Sequence, residues 1–214
     1  ERLLSGRLLI LADTGAPARP FRGGGAHAGT LSIEVSVGQE RMIVNCGSAI
    51  ESEATWQMVQ RMTAAHSTLS VEDRNSSEIL NDGGLGRSAE IITHSRRDTE
   101  TELCFEASHD GYRPVFELEH SRRVEVLRNE EGVIGSEIIS TSGEFGFAVR
   151  FHLHPTVTVS LAQGGSSALI KLKKGGGWRL SASGVDMQIE DSIYLGSGKP
   201  KRTSQIVLTG RTNR

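Results

Sequence analysis

Apolar and polar residues alternate one for one along Thr30 to Val37: Leu31, Ile33, Val35 and Val37 fall on one face, Ser32, Glu34 and Ser36 on the other. Successive side chains leave a β-strand on opposite sides, so this period predicts a half-buried strand rather than a helix. Similar short segments rich in Val, Ile, Leu, Thr and Phe recur over Arg7 to Ala12, Arg41 to Asn45, Ser67 to Glu72, Glu102 to Ser108, Val115 to Leu127, Phe147 to His154 and Ser204 to Thr209. Turn signals separate them at hairpin intervals, among them Asn81-Asp82-Gly83-Gly84, Glu131-Gly132, Gly164-Gly165 and Gly175-Gly176-Gly177. The pattern predicts an all-β fold, a large antiparallel β-sandwich of the supersandwich kind. No internal repeat or low-complexity linker divides the chain, so 1–214 reads as a single domain with one sizeable core.

One stretch departs from this period. Glu51 to Ala65 lacks Gly and Pro, follows Ser48, starts with acidic residues, and carries Trp56, Val59 and Met62 at helical spacing. A single short helix is expected there.

Charge and composition narrow the function classes. The 24 Lys and Arg against 26 Asp and Glu leave a formal charge of -2, which gives no broad electrostatic surface for nucleic acid or anionic membrane. The longest apolar run, Leu8 to Ala12, falls far short of the roughly 18 residues of a membrane span, which implies a soluble domain. Cys46 and Cys104 are too few for a disulfide scaffold and lack CxxC spacing, so both are expected to be buried free thiols. The chain starts at Glu1 with no targeting pattern, as expected of a piece of a longer polypeptide. No P-loop, Gly-x-Ser-x-Gly elbow, His-Glu-x-x-His or dinucleotide fingerprint is present.

Histidines carry most of the chemical potential, seven in a chain with two Tyr and two Trp. His27 follows Gly23-Gly24-Gly25, where backbone amides can approach an anion, or where the chain simply needs a flexible strand entry. His66 stands between the expected helix and the next strand, as a sheet-end ligand or as a helix C-terminal cap. Arg150, His152 and His154 share one strand face by period 2, suited to a metal clip, a sugar groove or a plain polar face; without a carboxylate in that strand the polar face is favoured over the metal. Asp110-Gly111 reads as a turn with Tyr112 packed at its edge, His109 and Asp110 diverge, and His120 precedes Arg122 and Arg123 on an unassigned face.

Taken in order, Gly25-Ala26-His27-Ala28-Gly29-Thr30-Leu31-Ser32, Ile43-Val44-Asn45-Cys46-Gly47, Arg61 to Thr68, His109-Asp110-Gly111-Tyr112 and His120-Ser121-Arg122-Arg123 resemble the C-terminal β-sandwich of heparinase II/III-like polysaccharide lyases. Phe151 to Pro155 and Ser192 to Gly196 resemble its bacterial branch, and the likeness runs from about Gly6 to Gly210. The resemblance implies an N-terminal α/α toroid outside these residues and cleavage of uronic-acid polysaccharides by β-elimination, with the toroid supplying a Tyr acid/base. It also implies that the sandwich supplies histidines and, in many members, a zinc site. The family's His-x-His-x-Asp falls on Gly25, His27 and Gly29, and the Asp of its Val-Asp-Pro-Gly segment falls on Asn45.

By that resemblance the first of the two histidines, which falls on Gly25, is the one expected to take part in catalysis; His27, the one that remains, is the candidate catalytic residue, and His27, Asn45 and His66 are the candidate metal set. Asn45 and Gly29 stand where the family has Asp, and a set of two imidazoles and a neutral amide binds Zn²⁺ much less well than His₂Asp. Arg150, His152 and His154 are the substrate-binding candidates. The implied partners are an acidic polysaccharide and the toroid of the same protein, with nucleic acid and membrane excluded. A non-catalytic carbohydrate-binding or structural sandwich is the alternative, and assembly of the toroid or of a homodimer is a third role. The compartment stays open between bacterial periplasm and cytoplasm.

Overall fold

A computed structural model describes residues 1–17, 25–48, 54–81, 84–128, 130–162 and 164–213. The expected helix start Glu51–Glu53, the glycines Gly23 and Gly24, and the centre of the Asn81–Gly84 turn lie outside these residues.

The chain opens with the hairpin β1 (Arg2–Ser5) and β2 (Leu8–Ala12), then β3 (Ile33–Val37) and β4 (Glu40–Val44). After β4 it leaves the sheet through helix α1 (Ala54–Val59) and a turn of 3₁₀ helix at Thr63–Ala65, and returns as β5 (Leu69–Val71). Four longer strands follow, β6 (Ile91–Asp98), β7 (Leu103–Tyr112), β8 (Leu118–Leu127) and β9 (Gly132–Ser140), with helix α2 (Arg113–Phe116) between β7 and β8. Then come β10 (Gly146–Leu153), β11 (Thr158–Leu161), β12 (Ser167–Lys171), β13 (Gly177–Ser181), β14 (Asp186–Tyr194) and β15 (Lys201–Arg211).

All pairings are antiparallel. The main sheet runs β1-β2-β3-β4-β10-β15-β14, with β5 also paired to β10; β6-β7-β8-β9 and β11-β12-β13 form two smaller sheets. Alternation drives the layering: Ile33, Val35 and Val37 of β3 are buried, and β8 buries every second residue from Leu118 to Val126. One apolar cluster joins Leu3, Ile10, Val35 and Ile43 of the main sheet to Phe105 and Val124 of β7 and β8 and Ile170 of β12. Burial of such side chains is worth about 1.5–3 kcal/mol each and holds the sheets face to face. A second cluster packs Leu69, Val71, Tyr112, Leu118 and Val149. The fold is the expected antiparallel β-sandwich, and Cys46 and Cys104 are both buried free thiols. No helix among the described residues is long and apolar enough to cross a membrane.

Three expectations change. The helix expected over Glu51 to Ala65 spans Ala54–Val59 among the described residues and stops there, because its hydrogen bonds tighten from Gln60 N–H on Trp56 O to Met62 N–H on Val59 O, after which Met62 is extended at φ -66°, ψ 149°. A second helix, Arg113–Phe116, starts with Pro114 in its first turn and ends at Glu117 in the left-handed region, φ 50°. It makes the turn that Asp110-Gly111 does not: β7 runs on through Tyr112 with only a register shift after His109. Gly111 serves close approach, since a Cβ there would lie 2.5 Å from Ser76 O. Tyr112 lies deep in the second cluster, its hydroxyl donating to Leu69 O at 2.9 Å.

Candidate functional site

Two strands share one edge of β10: β5 pairs with Phe147–Val149, and β4 pairs with His152 and Leu153. Between them, the described residues 45–48 and 54–68 lie off the sheet, and the two ends of this excursion are tied together. Ser67 N–H donates to Asn45 Oδ1 at 2.8 Å and Ser67 Oγ donates to Val44 O at 2.7 Å. Ser67 Oγ also accepts the N–H of His152 at 2.9 Å, which pins the excursion to β10. His66 therefore has a fixed place beside the sheet.

The His66 ring is buried, and Nδ1 lies 2.8 Å from Met62 O. A carbonyl only accepts, so Nδ1 carries the proton and Nε2 is a bare acceptor. Nε2 lies 3.2 Å from His27 Nδ1, with the rings edge to face at centroids 5.2 Å apart. His27 must then donate through Nδ1–H, which leaves its Nε2 lone pair without a hydrogen-bond partner among the described residues. Burial lowers the pKa of His66 to about 4, against the opposing Met62 hydrogen bond and with help from His27. Burial and then the Arg61 charge lower that of half-buried His27. Both rings are neutral near pH 7, and one ring nitrogen of the pair, His27 Nε2, keeps a lone pair without a partner among the described residues.

Of the metal set implied by resemblance, His27 and His66 meet. Asn45 turns its oxygen to Ser67 N–H, and its amide nitrogen donates to Glu34 Oε1 at 3.3 Å. His66 Nε2 accepts the hydrogen bond from His27 Nδ1–H. The described residues contain no cluster of three or more His, Cys, Asp or Glu side chains able to hold a metal. Zinc sites use three or four such ligands, so two imidazoles do not fit the zinc set. The His66 ring also fills the space beside Gly29: a Cβ there would lie 2.5 Å from His66 Cδ2. Gly25, by contrast, is exposed, with open space around a would-be Cβ.

Arg150 and His152 alternate on β10 as period 2 expects, and His154 lies past its end. His152 is buried at 3% exposure, with Nε2–H donating to Ala64 O at 2.9 Å and Nδ1 2.8 Å from Ser192 Oγ. Its pKa is lowered to about 4 by burial first and then by His66 and Arg150, against the Ala64 hydrogen bond. Cys46 Sγ lies 3.5 Å from the same Nδ1, and burial lifts the thiol pKa to about 11. His154 falls past the end of β10 and packs edge-on against Tyr194, while Arg150 donates to Ser70 Oγ at 2.6 Å.

A second histidine pair was left unplaced by the sequence. His109 and His120 face each other across β7 and β8 with Nε2 and Nδ1 3.1 Å apart. Gly111 N–H donates to His109 Nδ1 at 3.0 Å, so His109 donates through Nε2–H to His120, and His120 donates through Nε2–H to Glu137 Oε2 at 2.6 Å. Arg122 Nε donates to the other Glu137 oxygen at 2.7 Å. Burial pushes the Glu137 carboxyl up, but Arg122 and His120 outweigh it and hold it below the ordinary range. The available signal was the inward register of His120 and Arg122 on β8.

The family described as heparinase II/III-like, C-terminal, matches residues 1–214. FtsZ-localized protein C of Caulobacter vibrioides is 29% identical over 226 residues, covering 97% of this chain and 39% of that protein. Heparan sulfate lyase HepC from Pedobacter heparinus superposes with a TM-score of 0.76 at 13% identity, over 95% of this chain and 30% of that one. A heparinase III superposes at 0.74 and 13% identity, over 96% and 30%. The chain thus spans well under half the length of these relatives.

Proposed function

The chain belongs to the heparinase II/III-like C-terminal family, and from that premise we propose that it is the sandwich portion of a polysaccharide lyase cleaving uronic-acid polysaccharides by β-elimination. The observation that supports this reading is the Nε2 lone pair of His27, left without a hydrogen-bond partner among the described residues on a half-buried neutral ring held by His66. A general base has to be unprotonated at working pH and aimed at its proton. In the proposed reaction Nε2 takes the proton α to the uronate carboxylate, and the C–H electron pair becomes the new double bond. The glycosidic C–O bond then breaks, and the leaving oxygen takes a proton from a Tyr on an N-terminal toroid of the same protein. The proposed partners are an acidic polysaccharide and that toroid. Assayed on a panel of acidic polysaccharides, the full-length protein should form unsaturated uronate products by ultraviolet absorbance and its His27→Ala variant should not. Equal activity in the two would remove His27 from the mechanism.

A second reading rests on Gly25, which stands where the family's first histidine is expected, and on the curated relative, whose name speaks of localisation to FtsZ rather than of cleavage. In that reading the sandwich binds glycan without cutting it, and His27 Nε2 accepts a hydrogen bond from a sugar hydroxyl. Measurable glycan affinity in a full-length protein that cleaves nothing in the panel would favour it.

A further inference from the structure

Two backbone segments carry the His27–His66 pair, and a buried cation from the opposite sheet ties both. Leu31, four residues after His27, is fully buried yet sits in the left-handed region at φ 60°, a conformation that costs a non-glycine residue about 1 kcal/mol or more. Its N–H donates to Asp13 O at 2.8 Å, and its carbonyl turns inward to accept from Arg122 Nη1 at 2.6 Å. The same Nη1 donates to the carbonyl of Ser67, the residue after His66, at 2.8 Å. Arg122 is 1% exposed and spans the gap between β8 and these two segments. Its Nε end is anchored by Glu137, Glu137 by His120, His120 by His109, and His109 by the Gly111 N–H.

We propose that Arg122 is a positioning residue for His27 and His66, and that the Glu137–His120–His109 chain exists to hold its guanidinium in place. The inference rests on the proposed role of His27. A strained carbonyl at Leu31 and a turn carbonyl at Ser67 are drawn to one nitrogen, so the loop bearing His27 and the excursion bearing His66 keep a common origin. Lysine is charged but has neither the planar fork nor the second nitrogen needed to reach Glu137 and both carbonyls together. Direct hydrogen bonds also join the two segments, Ala28 N–H to Arg61 O at 2.8 Å and Thr68 Oγ1 to Thr30 O at 3.0 Å; what Arg122 adds is a charged donor shared by the Leu31 and Ser67 carbonyls and fixed from β8.

The test uses Arg122→Lys and the milder Glu137→Gln in the full-length protein, labelled with ¹⁵N-histidine. Imidazole ¹⁵N correlations at neutral pH should show His27 and His66 each in the single Nδ1–H tautomer in the native protein, and in mixed tautomers in the variants. Turnover on the polysaccharide panel should fall about 10- to 100-fold with little change in KM, as expected when a reacting group is misplaced by a fraction of an ångström. Should Arg122→Lys fail to fold, Glu137→Gln decides alone. Native tautomers at both histidines in a folded variant would overturn the proposal. If the native protein makes no unsaturated product while the tautomers still change in the variants, the positioning role stands and the lyase reading falls.

Discussion

Acid should loosen this domain through two particular rings. His66 and His152 are buried, neutral and held at pKa values of about 4, against 6.5 for a histidine in the unfolded chain. The folded value lies below the unfolded one, so their contribution is complete above pH 6.5 and is lost as the pH falls from 6.5 to about 4. At pH 5.5 the unfolded rings are mostly protonated and the folded ones mostly neutral, so unfolding takes up nearly two protons from this pair. That amounts to a slope of about 2–3 kcal/mol per pH unit, and a loss of about 3–4 kcal/mol between pH 7 and pH 5. A domain is typically stable by about 5–15 kcal/mol, so the loss is large. Urea unfolding at a series of pH values measures it. His66→Asn keeps a donor for Met62 O, and His152→Gln keeps one for Ala64 O; each variant should flatten the slope by about one proton. A native slope below one proton over pH 6 to 5, or a slope untouched by both variants, would refute the account of these rings as buried neutral donors.

Two further outcomes follow from the same region. Gly29→Ala places a Cβ 2.5 Å from a His66 ring that cannot turn without losing Met62 O, so thermal unfolding should report a loss of about 1–3 kcal/mol, and an unchanged melting temperature would contradict the packing. The Cys46 thiol, buried and raised to about 11, should resist a thiol-reactive dye at pH 8 until denaturant is added; reaction at the rate of a free thiol in the native protein would contradict its burial.

Much of the fold was legible because burial here follows the simplest period. The alternation in Ile33, Val35 and Val37 survives as buried and half-buried positions, and seven of the other sequence segments overlap strands. Propensity was overridden where a backbone group was claimed from outside the segment. Met62 ends the expected helix because an extended Met62 offers its carbonyl to the His66 ring. Gly111 read as a turn because glycine signals both turns and close approaches, and only the tertiary neighbour Ser76 separates the two.

The candidate site shows the same division. Resemblance grouped His27 with His66, and the rings do meet; it also added Asn45, whose amide instead closes the base of the excursion on Ser67. Replacing a carboxylate by an amide supplies a donor as well as an acceptor, and the donor end is taken by Glu34. The Arg122 chain was hidden for a different reason. On β8 the inward positions read Leu118, His120, Arg122, Val124, Val126, so two polar residues hold places that alternation assigns to the core. A polar residue in such a row costs stability unless it finds partners on other elements, and these partners, Glu137, Leu31 and Ser67, lie 15, 91 and 55 residues away from Arg122. An inward polar residue on an otherwise apolar strand face is therefore the local trace of a distant network, and in this chain it leads from β8 to the two segments that carry the histidine pair.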